Sequence, residues 1–175
     1  GDAPEITLRD SATGTPYAWM ATNDAGSLIL AADQGNNAAS SIIDFRVDGT
    51  ERMRLDSSGR LLLGTTTEGD SSADDLTVAN STNAGITIRS GSTYYGSLYF
   101  SDATSSTGEY EGYVQYNHSS RLLTLGVASQ TRLQIASSGQ IGLGGANYGS
   151  SGQVITSNGS GSAPTWQDAG VTLNN

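Results

Sequence analysis

Apolar residues in this chain recur at every second position in short runs: Ile6/Leu8, Met53/Leu55, Leu61/Leu63, Leu76/Val78, Ile86/Ile88, Leu133/Ile135 and Ile141/Leu143. Short alternating runs bounded by Gly, Ser, Asn and Asp predict half-buried β-strands, and helix-like spacing is nearly absent. Strands are expected at 5–9, 16–21, 27–32, 41–47, 51–55, 60–64 and 76–79. A second series is expected at 85–89, 95–100, 111–116, 121–127, 131–135 and 140–143, with a last strand at 153–157. Asp48-Gly49 between two strands is a tight hairpin signal, because Gly tolerates the positive φ of a primed turn. Asp56-Ser57-Ser58-Gly59 and Ala136-Ser137-Ser138-Gly139 each join two strands through a loop ending in Gly.

The pattern is written twice. Arg52-Met-Arg-Leu-Asp-Ser-Ser-Gly-Arg-Leu-Leu-Leu-Gly64 returns 80 residues later as Arg132-Leu-Gln-Ile-Ala-Ser-Ser-Gly-Gln-Ile-Gly-Leu-Gly144. The same shift carries Ile6–Arg9 onto Ile86–Arg89, Ala18–Met20 onto Leu98–Phe100, and Ile42–Phe45 onto Leu122–Leu125. Gapless matches at one offset imply an all-β chain of two tandem repeats of roughly 60 residues, each marginal as a core on its own. The expected organisation is a first repeat at 1–64, a polar connector at 65–84, a Tyr-rich second repeat at 85–144, and a Gly/Ser-rich module with Trp166 at 145–175. Ala128-Ser129 replaces Asp48-Gly49 in the second copy, so that turn is expected to differ.

Charge narrows the partners. All eight basic residues are Arg, against 17 acidic ones, for a net charge of −9. A negative field of this size opposes nucleic acid and anionic membrane surfaces. No apolar run approaches the roughly 20 residues of a membrane helix, so membrane insertion is not expected. With no Cys there is no disulfide framework, and oligomerisation is the expected remedy for a small core.

Two stretches resemble known modules. Thr50-Glu-Arg-Met-Arg-Leu-Asp-Ser-Ser-Gly-Arg-Leu-Leu-Leu-Gly-Thr-Thr66, followed by the strand at Leu76–Val78, resembles a module of bacteriophage tail fibres, especially those of marine phages. There it often precedes an intramolecular chaperone of the endosialidase type. Ser151-Gly-Gln-Val-Ile-Thr-Ser-Asn-Gly-Ser-Gly-Ser-Ala-Pro-Thr-Trp166 resembles a second module of such appendages. The resemblance covers about a third of the chain. It implies an intertwined, parallel homotrimer with prism-like or sandwich-like segments, placed on a virion outside the cell. It also implies attachment to a host-surface glycan or protein, alongside other virion proteins.

Site chemistry is sparse. His118 is the single His, no Gly-x-Ser-x-Gly elbow occurs, and no zinc set can be assembled, so no catalytic residue, metal or cofactor is expected. Glu109 and Glu111 flank Tyr110; on a strand they would share a face, which keeps a glycan-cleaving alternative open. Tyrosines gather in the second repeat, and Tyr94, Tyr95, Tyr110 and Tyr113 are the expected exposed glycan contacts, with Tyr99 and Tyr116 expected in the core. Arg52 and Arg54 share a strand face with Asp56, opposite Glu51, Met53 and Leu55. Arg52, Arg54 and Asp56 are therefore candidates for pairing between chains. A filament growing by strand addition is the remaining alternative.

Overall fold

The computed structural model describes residues 5–9, 17–23, 25–33 and 35–170. Pro16, expected in the second strand, and residues 171–175 of the C-terminal module lie outside them. The chain divides into two compact units between Ile86 and Thr87.

Among the described residues the first unit holds seven strands: β1 (Glu5–Arg9), β2 (Tyr17–Thr22), β3 (Leu28–Ala31), β4 (Ile43–Val47), β5 (Thr50–Leu55), β6 (Leu61–Leu63) and β7 (Leu76–Val78). β1-β2-β3 form one antiparallel sheet, and β4-β5-β6-β7 a second in which only β7 is parallel to its neighbour. The second unit holds β8 (Tyr95–Phe100), β9 (Gly112–Asn117), β10 (Leu122–Val127), β11 (Gln130–Ile135), β12 (Ile141–Leu143), β13 (Gln153–Thr156) and β14 (Thr165–Asp168). There β8 to β12 make a five-stranded antiparallel meander, and β13-β14 a separate hairpin. None of the sheets closes, so the chain is all-β with open sheets.

Register explains why the two halves read alike. Ile43↔Leu55, Asp44↔Arg54 and Phe45↔Met53 in β4/β5 recur 80 residues on as Leu123↔Ile135, Thr124↔Gln134 and Leu125↔Leu133 in β10/β11. A bulge follows at the same place in each, leaving Arg52 and Arg132 as the extra residues. Both hairpins close on two residues of positive φ, Asp48-Gly49 at 52° and 74°, and Ala128-Ser129 at 55° and 56°. The second turn was expected to differ, yet it keeps the same backbone. Ser129 holds it there by donating its N–H to the Glu111 carbonyl at 2.9 Å and its hydroxyl to the Thr107 carbonyl at 3.0 Å.

Two expectations are corrected. Residues 85–89 form no strand, because Ile86 and Ile88 alternate without a ladder partner in their own chain and stay exposed. Residues 106–110 form a short 3₁₀ turn, where a strand carrying Glu109 and Glu111 on one face was expected.

The described residues make hardly any core within one chain. Among the described residues the buried apolar side chains are Ala21, 3% exposed, and Leu62, 1% exposed. Leu62 sits mid-sheet beside Thr77 on β7, and the connector folds back over that face, with the Gly69 N–H donating to the Thr77 hydroxyl at 3.1 Å.

Gly64 and Gly144 are equivalent residues with φ of 73° and 60°, a region that costs an L-residue about 1–2 kcal/mol. They differ in surroundings. A Cβ on Gly64 would lie 2.3 Å from the Ala79 carbonyl oxygen on the chain leaving β7, whereas one on Gly144 meets open space. Thermal unfolding should therefore show Gly64→Ala destabilised clearly more than Gly144→Ala. Equal shifts would contradict this seating of β7.

Candidate functional site

Alternation gives each main sheet two different faces. In the five-stranded sheet one face carries Leu98, Phe100, Val114, Tyr116, Leu125, Ile135 and Ile141, and it is open: Leu98 is 53% and Phe100 58% exposed. The opposite face carries Tyr95, Ser97, Tyr99, Tyr113, Gln115, Asn117, Thr124, Thr131 and Gln134. In the first unit Ile43, Phe45, Met53, Leu55 and Leu76 share the apolar face of β4–β7, with Phe45 and Leu76 exposed. An apolar cleft of about 340 Å³ also opens in that unit, lined by Ile6, Leu8, Trp19, Met20, Leu30, Ile43 and Phe45. Its walls come from β1–β3 and β4.

On the polar face of the second unit, Tyr99, Tyr110, Tyr113 and Gln115 line a cleft of about 230 Å³. The Tyr99 ring lies 6.4 Å from that of Tyr110 and 6.4 Å from that of Tyr113, edge-on to the latter. The Gln115 amide nitrogen donates to the Ser97 hydroxyl at 3.1 Å and to the Tyr99 hydroxyl at 3.0 Å. Tyr113 shares a hydrogen bond with the Thr131 hydroxyl at 3.0 Å, and its ring lies over Gly126, where a Cβ would clash with it at 2.0 Å. Eighty residues earlier the equivalent of Gly126 is Arg46, so the glycine is what seats this ring.

Tyr110 arrives from the 3₁₀ turn, which is pinned at several points. The Ser101 hydroxyl donates to the Ala103 carbonyl at 2.7 Å and lies 3.0 Å from the Gly108 carbonyl, while the Asp102 N–H donates to the Gly108 carbonyl at 3.1 Å. The Ser129 hydroxyl lies 3.1 Å from Glu111 Oε2.

The expected site residues thus divide. Tyr110 and Tyr113 come together, joined by Tyr99 and Gln115, which sequence reasoning did not nominate. Tyr94 and Tyr95 are exposed but line no part of the cleft. Tyr94 sits in a turn, its N–H donating to the Gly91 carbonyl at 3.0 Å. Tyr99 and Tyr116, expected in the core, are both exposed. Glu109 and Glu111 belong to the 3₁₀ turn and its end, so they do not alternate along a strand. His118 packs edge-on against Tyr116 at 5.0 Å. Among the described residues no cluster of potential metal ligands occurs, and no helix is long and apolar enough to cross a membrane.

The charged candidates behave differently from the parity rule. Because Arg52 is the extra residue of the bulge, Glu51 is brought onto the face of Arg54, correcting the expected opposition. Arg54 grips the Glu51 carboxylate at both oxygens, through Nε and through Nη2 at 2.7 Å. Asp56 is also held within the chain. It accepts from the Ser58 and Arg60 N–H groups at 2.9 and 3.0 Å and from Arg60 Nε at 2.8 Å. Arg60 reaches on to Asp74 at 3.0 Å and Glu68 at 3.6 Å, tying the β5–β6 turn to the connector. Each arginine is held above its ordinary value by its carboxylate neighbour, Arg54 by Glu51 and Arg60 by Asp56 and then Asp74.

No protein-family model, curated protein or solved structure matches the chain.

Glu51 is held below the usual carboxylate range by the Arg54 hydrogen bond, and Asp56 by the Arg60 side chain and then the Arg60 N–H. Carboxylates depressed by folding stabilise the native state fully above their ordinary values, about pH 4–4.5, and lose that contribution as pH falls below them. Thermal melts from pH 6 down to about 3 should show an acid loss that is shallower in Asp56→Asn, which keeps the turn's acceptor oxygen. An unchanged slope would contradict this account of the Arg60 contacts.

Proposed function

We propose that this chain is a structural and adhesive segment of a homotrimeric phage tail fibre or related virion appendage, non-enzymatic and acting in attachment to a host surface. The two matching registers are read as tandem repeats that give length. Trimerisation into prism-like or sandwich-like segments covers the apolar faces, with a host glycan or protein and other virion components as partners. The observation that carries this reading is the uncovered apolar face of each main sheet.

On that face Leu98 is 53% and Phe100 58% exposed in the second unit, and Leu76 51% and Phe45 46% in the first, so each sheet has a side for a neighbouring chain to cover. Residues 85–89, alternating but unpaired, fit strand pairing with another copy. The net charge of −9 keeps such an assembly dispersed.

Light scattering across a concentration range tests the reading. A fixed mass of three chains is expected. It should fall in Leu98→Asp, which places a charge on the apolar face, and hold in Ser97→Asp one residue away on the other face. Mass climbing into long polymers would favour a filament built by strand addition, and a stable monomer would overturn the assembly.

A further inference from the structure

We propose that the cleft of Tyr99, Tyr110, Tyr113 and Gln115 is a binding site for a single neutral sugar ring. The proposal rests on the adhesive reading for its purpose, and on the cleft alone for its chemistry. At about 230 Å³ the space lies below the roughly 300–1,000 Å³ of pockets for drug-sized ligands, and suits one ring. A pyranose has a face of C–H groups and a rim of hydroxyls. Tyrosine offers the matching pair, an apolar ring face and a polar tip, and three such rings surround one space here.

The polar groups are neutral and oriented. Gln115 gives its amide hydrogens to Ser97 and Tyr99. Its carbonyl is thereby aimed by a fixed amide plane, and Tyr99, acting as acceptor, keeps its own O–H to donate. An amide carbonyl and a phenol O–H are what a sugar rim needs. A cationic ligand would call for a carboxylate in the lining and an acidic sugar for an arginine, and none of the four lining residues is charged. The net charge of −9 further disfavours an acidic sugar.

The site is also prearranged. Tyr113 rests on Gly126, and Tyr110 is carried by a turn fastened to Ser101 and to Ser129. Ser129 holds φ of 56°, a strained conformation for a residue with a side chain. Its equivalent in the first unit is Gly49, with no such turn to hold. By strand parity the cleft opens on the face opposite Leu98, Val114 and Leu125, so covering the apolar face leaves it free.

Saturation-transfer NMR on the full chain, with methyl glycosides of glucose, galactose, mannose and N-acetylglucosamine, provides the test. A methyl sialoside and tetramethylammonium serve as charged probes. At least one neutral glycoside should bind through its ring protons. Tyr110→Ala, outside every strand, should weaken it about tenfold. Ser129→Gly relieves the positive-φ strain, so it preserves folding while freeing the turn, and should weaken binding about threefold. Tyr94→Ala should leave it unchanged. The proposal is overturned if no neutral glycoside binds, if a charged probe binds better, or if binding survives Tyr110→Ala and Ser129→Gly intact. The same samples are weighed by light scattering. A trimer that ignores every glycoside overturns the site alone, and a monomer that binds one overturns the assembly alone.

Discussion

Strand alternation without an internal cover is the constraint on which the rest depends. A strand places successive side chains on opposite faces, so a chain that alternates Leu, Ile and Val with polar residues makes sheets with one apolar side. A compact domain turns two such sides together. Here the five-stranded sheet and the β4–β7 sheet each leave theirs exposed, and among the described residues Leu62 is the largest side chain fully removed from water. Backbone hydrogen bonds and turns set the local shape, but little hydrophobic burial within the chain holds it. Burial at roughly 25 cal/mol per Å² is the main favourable contribution to folding, so covering these faces governs stability.

The bulge shared by β5 and β11 has the largest local consequence. By inserting one residue it reverses the parity beyond it, which puts Glu51 beside Arg54 in the first unit and Thr131 beside Gln134 in the second. The same backbone then carries two chemistries. In the first unit Asp44, Arg46, Glu51 and Arg54 are charged, with Arg46 paired to Asp44 at 2.7 Å. In the second their equivalents are Thr124, Gly126, Thr131 and Gln134. Gly126, where the first unit has Arg46, leaves room for the Tyr113 ring, so one register carries an ion-paired face in the first unit and a cleft in the second.

Much of the fold was legible because strand alternation and Gly-marked turns are local signals. Most strands lie within two residues of the expected limits, and an offset of 80 residues leads from β4–β6 to β10–β12. What escaped depended on partners that a one-dimensional pattern does not contain. Ile86 and Ile88 alternate as well as any strand, yet they lack a ladder in their own chain. Ala128-Ser129 contains no glycine, and its primed turn is fixed by contacts from Thr107 and Glu111. Glu51 was assigned to the wrong face because a bulge is invisible to a strict period of two. Of the residues that line the tyrosine cleft, Tyr110 and Tyr113 had been singled out from the sequence and Tyr99 and Gln115 had not. Tyr99 was missed because the 80-residue shift lays it on Trp19, which marked it as core.

Because the chain has no cysteine, single cysteines report directly on which face is covered. The most direct measurement is the thiol-labelling rate of Val114→Cys on the apolar face against Ser97→Cys on the polar face, in the native assembly. Covering of the apolar face by other copies predicts slow labelling at 114 and fast labelling at 97, with the difference lost on dilution or denaturation. Equally fast labelling at both positions in a fully folded sample would contradict the account.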